Sequence, residues 1–152
     1  MLFDKVNLKL FMKKYFFKIF IALILLIAAC SHKEEKLELF SPEAFAYSMD
    51  SGWELNASCR VKGFKQNEEE NNFKAKLSFS VDLLTPDGKN LQGVGEGLID
   101  QNAKERIIDL PVETQIQLDS TYKAGKYTIT FNVTDDFSGR NISIKKEFDL
   151  TN

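Results

Sequence analysis

From Trp53 onward the chain alternates apolar and polar residues with a period of two, a pattern that leaves few folds open to it. In "WELNASCRV", Trp53, Leu55, Ala57, Cys59 and Val61 fall on one face, and Glu54, Asn56, Ser58 and Arg60 on the other. Successive side chains of a strand point to opposite faces, so this segment reads as a half-buried β-strand. The alternation returns in "FKAKLSFSVDLL", with Phe73, Ala75, Leu77, Phe79, Val81 and Leu83 on one side. It recurs in "VETQIQLD" (Val112, Thr114, Ile116, Leu118), "KYTITFNVTD" (Tyr127, Ile129, Phe131, Val133) and "NISIKKEFDL" (Ile142, Ile144, Phe148, Leu150). "NLQGVGEGLID" reads as a weaker strand, because glycine adds no packing. Between strands lie "TPDGK", where Pro86 and Gly88 favour a turn, "DDFSGR", and the polar "KQNEEENN", read as a solvated hairpin loop. About seven short strands with regular turns predict an all-β antiparallel sandwich over residues 51–152.

The last of these segments carries a family resemblance. "AGKYTITFNVTDDFSGRNISIKKEF" resembles the closing hairpin of bacterial immunoglobulin-like domains, in which a small-Gly-x-Tyr entry leads a strand into Asp-x-x-Ser-Gly. Ala124, Gly125 and Tyr127 fill the entry; Asp135 or Asp136, with Ser138 and Gly139, fill the turn. The resemblance implies an immunoglobulin-like fold. Its motifs shape strand and turn, so it implies no activity.

Upstream the character changes. In "SPEAFAYSM", Ser41 suits a helix N-cap and Pro42 the first helical position, which predicts a brief helix or turn. "SHKEEKLE", residues 31–38, is charged and reads as a tether. Before it, Lys13, Lys14 and Lys18 precede eleven apolar residues, 19–29. Spanning a bilayer takes about 20 such residues, and the order basic, apolar, small is that of a secretory signal. "LIAAC" resembles a bacterial lipobox: Ile27 holds the aliphatic position, Ala28 and Ala29 the small ones, and Cys30 is the acceptor. The resemblance implies cleavage before Cys30 and acylation of its sulfur, a thiolate being the nucleophile such a transfer needs. Two or three acyl chains make a durable anchor where one does not. The expected organisation is therefore a signal peptide at 1–29, a lipidated tether at 30–50 and the sandwich at 51–152. Met12 stands directly before "KKYFFK", and a start there gives a compact signal without Asp4. Intact mass of the uncleaved precursor decides between Met1 and Met12.

Removing the leader exposes an acidic chain. Residues 30–152 hold 15 Lys and Arg against 21 Asp and Glu, a net charge of −6 over 123 residues. Nucleic acid requires a basic patch to displace counterions, so the acidic balance argues against it as a partner. The same charge opposes direct adhesion to anionic headgroups, leaving the lipid on Cys30 as the link to the membrane. With Cys30 acylated, Cys59 has no partner for an internal disulfide.

Residues capable of chemistry are few. The single histidine is His32, in the tether, which argues against a catalytic triad or a histidine-bearing metal site in the folded part. Cys59 has inward strand parity and reads as a small buried hydrophobe. "GVGEG" (Gly93, Gly95, Gly97) lacks the Lys-Ser/Thr of a phosphate loop and reads as a thin strand or bulge. Asp82, Asp87, Glu96, Asp100, Asp135 and Asp136 show no calcium-ligand spacing and read as turns and solvated faces. Glu68 to Glu70 form an acidic loop tip. Asn56 lies in an acidic-x-Asn-x-Ser sequon but sits mid-strand. Phe64 and Phe137 are candidates for an exposed docking edge. No catalytic, metal or cofactor residues are assigned.

The resulting expectation is a non-enzymatic envelope lipoprotein that binds a protein partner. Ser31, rather than an aspartate, follows Cys30, which by resemblance to the sorting rule of enteric bacteria implies the outer membrane. The alternatives are an accessory subunit of an envelope complex, or a protease inhibitor presenting the loop at residues 66–72.

Overall fold

The computed structural model describes residues 35–151; the expected signal peptide, with Ile27, Ala28, Ala29, Cys30 and His32, lies outside them. Eight strands follow in order: β1 (Glu38–Met49), β2 (Gly52–Lys62), β3 (Asn67–Glu69), β4 (Asn72–Leu84), β5 (Asn90–Ala103), β6 (Asp109–Asp119), β7 (Gly125–Asp135) and β8 (Arg140–Leu150). They form two antiparallel sheets, β1-β2-β6 and β3-β4-β7-β8, with β5 paired to β4. One edge of β4 takes β5 from Phe73 to Leu84, while the other takes β7 from Leu77 and β3 at Asn72–Lys74. The chain crosses between sheets after β2, β5 and β6, the Greek-key route of an immunoglobulin-like sandwich.

The alternating faces meet as the sequence predicts. Leu55, Val61, Ala75, Leu77, Val81, Leu83, Val112, Ile129 and Phe131 are fully buried between the sheets, with Trp53 and Cys59 beside them. The Trp53 indole N–H donates to the Thr151 carbonyl at 3.1 Å, satisfying its polar edge. Tyr127 stacks on Phe148 at 5.7 Å, and its hydroxyl donates to the Lys123 carbonyl at 2.8 Å. A tyrosine bonded back across the turn that enters its strand is the tyrosine corner of these sandwiches.

Three expectations change. Residues 41–49 form strand, not helix, and the sandwich begins at Glu38 rather than 51. A bulge between Phe40 and Glu43, with Ser41 at φ 50°, absorbs Pro42 before pairing with β2 resumes. The local capping signal is overridden because Leu39 and Leu37 are already buried and the ladder to β2 runs to Gly52. "KQNEEENN" is not wholly loop: β3 pairs with β4 through a turn at Glu70 and Asn71, both with positive φ (48° and 63°) as a type I′ turn requires. Phe64 is buried, not exposed, and Phe137 is half-buried. Gly63, with φ 70°, turns the chain so that the Phe64 ring enters the core.

Candidate functional site

Two features stand out once the strands are in place: a polar clamp at one end of the sandwich and an apolar stripe on β1. The clamp is built on the β7–β8 turn. Asp135 is fully buried at the end of β7, and its carbonyl accepts from the Gly139 N–H at 2.7 Å to close the turn. Its carboxylate accepts from the Lys65 N–H (2.8 Å), the Phe137 N–H (3.2 Å), the Ser138 hydroxyl and Arg140 Nη2 (3.1 Å). Burial raises a carboxyl pKa, but these donors together outweigh it and hold Asp135 below the usual range.

Arg140 extends the clamp to the incoming chain. It donates to the Glu35 carbonyl at 2.8 Å, the Gly63 carbonyl at 2.9 Å and the Ser138 hydroxyl at 2.9 Å. Arg106, on the β5–β6 connection, pairs with the Glu35 carboxylate at 3.6 Å. Gly63 lies so near that a Cβ there would meet the Lys36 carbonyl at 2.1 Å. Leu37 is buried one residue further on. The point where the chain enters the domain is thus fixed from three connections at once.

The stripe lies on the outer face of β1. Phe45, Tyr47 and Met49 are each about half exposed, while Ala44 and Ala46 point inward against the core. Phe45 and Tyr47 meet edge to face at 5.6 Å. Glu54, Asn56 and Gln115 flank them on β2 and β6, and a shallow concavity runs between Phe45, Ser58 and Gln115. Here the large apolar side chains face solvent and the small ones face the core. That inversion hid both strand and stripe from the sequence reading.

The other candidates resolve into structure. Cys59 is buried on β2, where burial pushes its thiol up to about 12; a thiol so held is not a nucleophile. Asp82 accepts from the Gly93 N–H (3.0 Å) and Asn132 Nδ2 (2.9 Å), pinning the irregular start of β5. Asp87 and Asp119 bond to Thr85 and Thr121 within their turns, and Asp136 accepts from Ser78 at 2.8 Å. Glu96 and Asp100 sit on β5 opposite Ser80 and Lys76. Among the described residues no group of three or more His, Cys, Asp or Glu is placed to hold a metal. "GVGEG" is a packing device. A Cβ at Gly95 would meet Thr114 Oγ1 at 2.7 Å, and one at Gly97 would meet the Phe79 ring at 2.6 Å. Phe79 covers Gly97, its direct partner across the sheet. Asn56 lies on the central strand β2, and its amide donates to Glu54 at 3.1 Å. No helix among the described residues is long and apolar enough to cross a membrane.

No protein-family model matches the chain, and no curated protein matches it in sequence. Among solved structures, it is similar to a family 123 glycoside hydrolase from Clostridium perfringens at 12% identity and TM-score 0.45. That likeness covers 79% of this chain and 28% of the hydrolase, so the chain spans less than a third of the hydrolase's length. It is also similar to a Northeast Structural Genomics Consortium target, at 14% identity and TM-score 0.35 over 78% of this chain and 86% of that one. Neither likeness is a basis for assigning an activity.

Proposed function

We propose that this chain is an envelope lipoprotein, anchored through acyl groups on Cys30, whose immunoglobulin-like domain binds a protein partner without catalysis. The observation that carries the binding half is the stripe on β1. Single exposed apolar residues are ordinary. Three in a row along one edge strand, two aromatic and one methionine, with a polar rim, have the composition of an interface core. The anchoring half rests on "LIAAC" and the basic, apolar leader before it. Cys59, buried with a raised thiol pKa, and Asp135, with both carboxylate oxygens engaged, support a structural rather than catalytic use of these groups. The partner reading includes a standing place as an accessory subunit, which would use the same face. The hairpin at residues 66–72 ends in a tight two-residue turn rather than an extended segment, which favours the β1 face over an inhibitory loop.

A photocrosslinking residue at Tyr47, compared with one at exposed Lys145 on β8, tests the proposal in intact envelopes. The expected result is one discrete adduct from position 47 that excess purified domain competes away, and none from 145. Equal, uncompeted adducts from both positions would refute it.

A further inference from the structure

The clamp has a consequence for how the domain stands on a membrane, and this consequence rests on the anchoring reading above. Glu35 is tied by Arg140 and Arg106, and Leu37 is buried, so the chain's entry point is a fixed place on the domain. That place lies at one end of the sandwich. Lys62, Asp109, Asp135 and Arg140, the termini of β2, β6, β7 and β8, gather there with the β5–β6 connection. The turns at residues 50–51, 85–89 and 120–124 form the opposite end. Cys30 precedes Glu35 by five residues, and five residues reach at most about 18 Å however they run. From Glu38 to Met49, β1 extends about 35 Å, at roughly 3.3 Å per residue.

We infer that the domain faces the bilayer with this end, its β7–β8 turn, β5–β6 connection and β3–β4 turn nearest the headgroups and the β1 stripe rising away from it. The near end cannot leave the headgroups by more than the leash. The far end is under no such limit and lies up to one strand length further out. The partner face of β1 is therefore presented to a protein reaching in from beyond the membrane surface. Its outermost residue, Met49, stands about one strand length above the clamp. The surface of the near end has a lipid bilayer as its neighbour.

The test uses the full acylated chain in vesicles of three parts phosphatidylethanolamine to one part phosphatidylglycerol. A fluorophore is attached at Glu105→Cys on the β5–β6 connection or at Ser51→Cys on the β1–β2 turn; both positions are exposed. Cys59 is buried and Cys30 is blocked by lipid, so neither takes the label. Headgroup-linked nitroxide should quench Glu105→Cys roughly twofold or more above Ser51→Cys, given the separation of the two ends. A long Gly/Ser insertion between Lys33 and Glu34 should erase that contrast. Equal quenching at both positions in an acylated, vesicle-bound chain overturns the orientation alone. Contrast that survives the insertion overturns the leash as its cause. Absence of acyl groups, with the chain free of vesicles, overturns the anchoring reading and the orientation with it.

Discussion

Asp135 shows how one residue is held charged inside a hydrophobic domain. Two backbone N–H groups, a hydroxyl and a guanidinium converge on its carboxylate. Asp135→Ala would leave those donors without an acceptor and should destabilise the domain by about 2–4 kcal/mol, read as a lower urea midpoint at unchanged slope. Because the folded pKa is depressed, Asp135's contribution is complete above the ordinary aspartate value of about 3.9 and is lost as pH falls through the lower folded value. Stability measured from pH 7 to 3 should therefore stay level and then drop at the acid end, with a shallower drop in Asp135→Asn. Tyr127→Phe removes the hydroxyl bond to Lys123 while keeping the stack on Phe148, and should cost about 1 kcal/mol.

At the scale of elements, the two faces of β1 make opposite demands. Phe45→Ser with Tyr47→Ser changes exposed residues and should shift stability by less than about 0.5 kcal/mol each while weakening partner binding. Gly63→Ala, by contrast, places a methyl group against the Lys36 carbonyl at positive φ and should cost about 2–3 kcal/mol; thermal unfolding checks it. β2, β4, β6, β7 and β8 were legible in the sequence because nearly all their large apolar residues face the core, exposed Leu84 at the end of β4 apart. β1 was not, since its alanines face inward and Ser41–Pro42 imitates a helix start. β3 was missed because a polar three-residue strand carries no apolar period. The closing turn was legible as a motif around Asp135, Ser138 and Gly139. Its reach to Glu35 was not, because Arg140 and Glu35 are 105 residues apart and only the tertiary fold joins them.

At the scale of the whole molecule, the chain as proposed carries an address at Cys30, a clamp at Arg140 and Asp135, and a presented face on β1. In that proposal the face acts only where lipid on Cys30 holds it, which makes Cys30 the residue to test. Intact mass of the mature protein extracted from its own envelope measures this most directly. The expected mass is that of residues 30–152 plus two or three acyl groups, with that addition absent from Cys30→Ser. A mature chain that begins elsewhere, or begins at Cys30 without acyl mass, would contradict it.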